Sequence, residues 1–214
     1  MVKMKTTKKT TKVIIASFVV ILVPILVGLL LWHQLPVHIP SHWSNGRIGG
    51  WSSKNMAVFG LPLIMAAVQL FLVVATKIDA LHKNLTTQIL TVVYWLIPLT
   101  STIMFILIYS TALGRPINDN VIMNLTLGIV FLVLGNYMPK VKQNSTVGFR
   151  VSWTRNSQEN WRRTNRLGGW LMVLGGVFLL GNMIFQFQWL WILVLAVIVV
   201  VPLSYSYSLY RQGI

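Results

Sequence analysis

The chain contains no cysteine, which excludes disulfides, thiolate nucleophiles and cysteine-ligated metal centres. Acid is almost as scarce: among 214 residues only Asp79, Asp119 and Glu159 carry a carboxylate side chain. General acid–base catalysis needs positioned carboxylates or histidines, and these three acids fall in separate polar stretches. No GxSxG, HExxH or phosphate-cradling glycine loop is present. The chain therefore reads as a non-enzyme with no cofactor. Charge of either sign is thin, at 10% of residues, and 55% are hydrophobic. Soluble domains carry about 25% charged residues, so this balance places the chain in a membrane.

What charge there is has one sign. Eighteen lysines and arginines give a formal net charge of +15. They flank apolar runs, where they set topology and meet anionic headgroups. No soluble reading domain accompanies them, so direct nucleic-acid binding is not expected.

Six apolar runs follow one another: Val13–Trp32, Met56–Thr76, Gln88–Ser110, Val121–Tyr137, Leu167–Phe185 and Trp189–Tyr210. Each approaches the roughly 20 residues needed to span a bilayer. The expected fold is an all-α integral membrane protein with six transmembrane helices. The first run is too long for a signal-peptide core and lacks a small-residue cleavage site, so it reads as a retained helix. Pro24 predicts a kink in it. In the third run, the hydroxyls of Thr100, Ser101 and Thr102 are placed to satisfy backbone groups freed by Pro98.

Fifteen of the eighteen basic residues fall on one side of this alternation, and only Arg47, Lys54 and Arg115 on the other. The positive-inside rule then makes both termini cytoplasmic. The layout is a basic N-terminus over residues 1–12, an N-terminal membrane region over 13–110 with an outward loop at 33–55, and a second membrane region over 121–214 with a cytoplasmic basic loop at 139–166.

The outward loop holds Pro36, Pro40, Gly46, Gly49 and Gly50, which forbid a regular helix. His33, His38 and His42 invite a metal reading. Pro40 spoils the helical spacing, and no cysteine or nearby carboxylate completes a tetrahedral set, so interfacial hydrogen bonding is expected and no metal.

The segment 136–169 is the most polar of the chain and holds seven basic residues. Asn156 and Glu159 have capping-box spacing, so a helix is expected from about Ser157 into the fifth run, with Trp161 near the membrane interface. Gly168, Gly169, Gly175 and Gly176 repeat at seven residues, as do Gly128 and Gly135, which reads equally as a close crossing of the fourth and fifth helices or as the ordinary glycine enrichment of membrane helices. Basic residues at a helix end are accounted for by topology alone. The Asn, Gly, Trp and Thr residues set between them are not.

Those residues carry a resemblance. Gly135, Asn136, Tyr137, Asn144, Gly148, Arg150, Trp153, Thr154, Trp161, Thr164, Arg166, Gly168 and Gly169 resemble the signature of the SdpI-type immunity protein family. Leu35, Pro36, Pro40, His42, Trp43, Gly46, Trp51 and Lys54 resemble the domain of unknown function that commonly precedes it. The chain has Ser152, Arg155 and Asn165 where the family often has Pro, Leu and His. The resemblance implies a multi-pass protein of the bacterial cell membrane that protects its cell from a secreted, apolar peptide toxin. It also implies a second role, holding a cytoplasmic helix-turn-helix repressor at the membrane. Binding residues expected on this basis are His42, Trp43, Gly46, Trp51 and Lys54 outside, and Asn136, Asn144, Gly148, Arg150, Trp153, Thr154, Trp161 and Thr164 inside. Membrane lipids are the remaining partner. A small-solute or peptide transporter is the alternative, although the spans carry no ionisable residue of the kind ion coupling uses.

Overall fold

The computed structural model describes residues 8–44, 47–81 and 84–214. Seven helices and one hairpin make up these residues: α1 (Lys8–Leu30), β1 (His38–Ser44), β2 (Arg47–Ser53), α2 (Leu61–Ile78), α3 (Thr87–Ala112), α4 (Asp119–Tyr137), α5 (Ser152–Asn156), α6 (Gln158–Phe185) and α7 (Leu190–Arg211). A π-helical turn, Met56–Gly60, leads into α2. Among the described residues, six helices are long and apolar enough to cross a membrane. The all-α expectation holds for these six helices, and the loop between the first two adds a two-stranded antiparallel sheet of β1 and β2. The prolines and glycines that rule out a helix in the first loop are compatible with a bulged hairpin, where a proline removes no needed ladder bond. The chain folds as two compact units, Met1–Val74 with Val93–Thr126, and Ala75–Val92 with Leu127–Ile214.

In the first unit, α1 buries Thr10, Ser17, Ile21, Pro24 and Gly28, a stripe at three-, four- and seven-residue spacing that faces the rest of the unit. Pro98 in α3 lacks the amide that would bond Tyr94 O, four residues back. The fully buried Gln69 of α2 supplies the missing donor: its Nε2 donates to Tyr94 O at 3.1 Å and to Ser17 Oγ at 2.8 Å. The threonines near Pro98 do something else. Thr100 and Thr102 donate to carbonyls of their own helix, at Leu96 and Pro98. The hairpin stands on a core of Leu35, Ile39, Val58, Phe105, Ile108 and Tyr109.

In the second unit, α4 and α6 cross through their glycines. A Cβ on Gly135 would lie 2.6 Å from Gly169 O, and one on Gly169 would lie 2.8 Å from Gly135 O. One crossing further along, a Cβ on Gly176 would lie 2.8 Å from Gly128 O. The close approach is present, and it is backbone against backbone. On its other side α6 packs along α7, with Gly175 against Val194 and Ile198.

Candidate functional site

The polar segment between α4 and α6 belongs to the second unit. It begins with a 3₁₀ turn, Met138–Lys140, and runs through α5 into α6. Ser157 caps α6, its Oγ accepting from Asn160 N at 3.2 Å. The cap is thus one residue later than the Asn156 spacing suggests. Glu159 does not close a capping box; its carboxylate accepts from Arg162 (2.7 Å) and Arg163 (2.6 Å). A carboxylate one turn before two arginines is drawn to them more strongly than to a single amide.

Two side-chain acceptors bend the loop. Asn144, 1% exposed, accepts from Thr146 N (2.7 Å) and Val147 N (2.6 Å), and donates to Lys142 O (2.8 Å) and Val147 O (2.9 Å). Asp79, beyond the end of α2 and also buried, accepts from Leu81 N (2.8 Å), Ser145 N (2.9 Å) and the Thr146 hydroxyl (2.6 Å). Gly148 then turns the chain with φ of 122°, a conformation that favours glycine. Asn165 fastens the next residue: its Oδ1 accepts from Phe149 N at 3.0 Å and its Nδ2 donates to Trp161 O. An amide side chain can donate and accept at once, so Asn165 links loop and helix where the family often carries His.

Burial alone would raise the Asp79 pKa, but the bonds from Thr146, Leu81 and Ser145 outweigh it and hold the carboxyl below its ordinary value. A group with a lower pKa in the folded state stabilises fully above its unfolded value, about 3.9, and loses that contribution as pH falls through the folded value. Acidification below about pH 4 is therefore expected to release residues 144–147. The check is hydrogen exchange of that loop after brief pulses at set pH. Asp79→Asn should exchange fast throughout, with little further response to acid. A wild-type loop whose protection is unchanged between pH 6 and pH 3 would refute the clamp.

The inner residues expected from the sequence separate into two sets. Trp161 is buried at 3% exposure, with Nε1 donating to Val141 O at 2.8 Å, so its ring faces the inside of the fold. Thr154 is fully buried and its hydroxyl accepts from Val151 N at 3.0 Å. Thr164 donates to Asn160 Oδ1, which also accepts from Ser206 Oγ of α7. With Asn144 and Gly148, these residues build the loop. Arg150 and Asn136 are exposed; the Arg150 guanidinium donates to Ser145 O. Trp153 packs its ring against Tyr207 and Tyr210 of α7, and its Nε1 is buried without a hydrogen-bond partner. Beside the loop lies a cleft of about 740 Å³, rimmed by Lys140, Lys142, Glu159 and Arg162 and floored by Trp161 and Asn165.

In the first unit, His38 pairs with Ser53, and His42 with Gly50, across the hairpin. His42 and Trp51 are exposed, the latter at 59%. Lys54 serves the hairpin's base: its Nζ donates to Trp32 O at 3.0 Å and sits 5.1 Å over the Trp32 ring. Gly46 lies outside the described residues, as do His82, Lys83 and the first seven residues, Lys3 and Lys5 among them. Trp43, half-buried, lines a cleft of about 560 Å³ with Arg47, Ile48, Ile117 and Asp119, and with Thr111, whose Oγ1 is buried and unpartnered. Sequence reasoning passed over Thr111, Ile117 and Asp119, because they lie some seventy residues from the hairpin in the chain and carry no motif. The one available signal was Asp119, an acid in a chain nearly without them.

Residues 140–206 match the SdpI/YfhL protein family, and residues 19–66 match a domain of unknown function, DUF1648. The chain is 29% identical over 172 residues to the Immunity protein SdpI of Bacillus subtilis (strain 168), covering 77% of this chain and 78% of that one. No solved structure matches the chain. With six helices of spanning length, the protein is a multi-pass membrane protein, and it is similar to the SdpI/YfhL protein family over residues 140–206 and to this relative over most of each chain.

Proposed function

We propose that the protein is an immunity protein, protecting the bacterium that makes it from a secreted, apolar peptide toxin. The observation that carries this reading is the extent of the likeness to an immunity protein, which covers 77% of the chain and so takes in more than either matched region alone. The positive-inside count supports an orientation with the hairpin outside and the 139–166 loop and both termini in the cytoplasm. Toxin is then met at the hairpin, by the exposed His42 and Trp51 and in the cleft floored by Trp43. Lys54 ties the hairpin to Trp32, just beyond the end of α1. On the inner side, Arg150, Asn136 and the Trp153 cluster form the surface open to a helix-turn-helix repressor, supported on the scaffold of Asn144, Gly148, Thr154, Trp161 and Thr164.

Expression in a sensitive bacterium, challenged with an apolar peptide toxin, tests the reading. Survival should rise with the wild-type chain. Trp43→Ala should cut protection by on the order of tenfold or more at equal protein level, since an aromatic anchor in a pocket is worth about 2 kcal/mol. Arg150→Ala should release the repressor while leaving more of the protection intact. Absence of protection at good expression, together with solute flux in reconstituted vesicles, would replace immunity with transport. If Arg150→Ala changes neither readout, the inner surface is not a functional site.

A further inference from the structure

The start of α6 is longer than its apolar run requires. Its 28 residues rise about 42 Å at 1.5 Å each. That exceeds a hydrocarbon core of roughly 30 Å by about eight residues. The apolar run begins at Leu167, so Arg162, Arg163 and Arg166 stand at headgroup depth.

These three arginines open onto a cavity of about 620 Å³, closed by Leu167 and Trp170 of the same helix and Tyr205 of α7. Glu159 holds the guanidiniums of Arg162 and Arg163, and Arg163 also meets the Tyr205 hydroxyl. One carboxylate against three guanidiniums leaves the cavity two positive charges in excess. Each guanidinium has five donors, so the pairing with Glu159 orients the two arginines without exhausting them. Below the cluster, an exposed apolar track continues down α6 through Trp170, Leu174 and Phe178, at 60%, 52% and 64% exposure. A second continues down α7 from Tyr205 through Val201.

We propose that this cavity is a site for an anionic glycerophospholipid. The phosphodiester would lie among Arg162, Arg163 and Arg166, the Tyr205 hydroxyl would reach its ester oxygens, and the acyl chains would run along the two tracks. Planar guanidiniums grip a phosphate with paired, charge-assisted bonds. A headgroup bearing an amine would set its ammonium against surplus positive charge, so a hydroxyl-bearing head such as glycerol is preferred over choline. Topological charge alone does not require a phenol and an indole to close the cavity, nor a carboxylate to orient its arginines.

The test uses the full-length protein, purified in neutral detergent. Phosphatidylglycerol or phosphatidylcholine with the same acyl chains is added, and retained lipid is read by native mass spectrometry alongside the unfolding temperature. Phosphatidylglycerol should remain bound and raise the unfolding temperature, with phosphatidylcholine retained at least about tenfold less. Arg163→Ala with Arg166→Ala should lose that preference, and Arg155→Ala, an exposed arginine outside the cavity, should keep it. Arg166→Lys, which keeps charge and removes the paired donors, should retain lipid only partly, and it carries the test if the double variant does not fold. Equal retention of the two lipids would overturn the proposal, as would an equal loss in Arg155→Ala. An unfolding shift from inorganic phosphate as large as that from phosphatidylglycerol would also overturn it, in favour of a soluble-anion site.

Discussion

Gly169→Leu is expected to lower the unfolding midpoint sharply, and protection with it. The Cβ alone would lie 2.8 Å from Gly135 O and from Pro139 Cδ, and 3.1 Å from Met138 Cβ. Two of these three neighbours belong to backbone or to a proline ring and cannot swing away. Inserting side-chain atoms into a packed contact costs about 1–3 kcal/mol, and a contact made by backbone belongs at the upper end. The crossing would open, and with it the start of the loop that follows Tyr137. Gly135→Leu should behave alike, because its Cβ would lie 2.6 Å from Gly169 O. Gly181→Ala is the control. It lies in the same helix, a Cβ there meets nothing within 4 Å, and alanine favours helix over glycine by about 1 kcal/mol, so this variant should be at least as stable as wild type. The measurement is the unfolding midpoint in detergent beside survival under toxin. A wild-type midpoint for Gly169→Leu would show that the two helices do not cross at this point.

Asn144→Ala carries the second largest effect. One buried side chain makes four hydrogen bonds to the backbone of residues 142–147. Its removal leaves two amides and two carbonyls of a part-buried loop without these partners. Leaving one buried polar group unpaired costs about 1–3 kcal/mol, and the relaxed loop will recover only part of the total through solvent. The variant should keep its six long helices and lose the conformation of residues 144–149. Far-UV circular dichroism should therefore be nearly unchanged, while the loop becomes open to limited proteolysis near Lys142 and Arg150. Asn144→Asp keeps both accepted bonds and loses both donated ones, so it should fall between the two. A loop as resistant in Asn144→Ala as in wild type would mean that Asp79 and Asn165 suffice to hold it.

If repressor release follows the loop's conformation while toxin resistance survives, the two roles lie in separate parts of the chain. If both fall together at unchanged protein level, the inner loop also supports whatever the hairpin does.

The spans, the glycine stripe and the resemblance to the family were legible without coordinates, each for a local reason. A twenty-residue apolar run must cross or leave the membrane, and a seven-residue glycine repeat lays a bare stripe along a helix. The motif residues of the polar segment were recognisable as a set, but their division was not. Asn144, Thr154, Trp161 and Thr164 are buried and bonded, whereas Arg150 and Asn136 are exposed. Burial depends on which distant segments come to cover a residue, and here those segments are Asp79, the Asn84 side chain on Gln143 O, and α7 at Ser206. The same limit hid the hairpin, whose strands are too short and too bulged to show alternation. It also hid the pairing of Gln69 with the carbonyl that Pro98 frees, across twenty-five residues of chain. Periodicity and composition along one chain determine what must be apolar and where helices run. Which polar atoms meet is a matter of distances between segments far apart in sequence, and only the folded chain decides it.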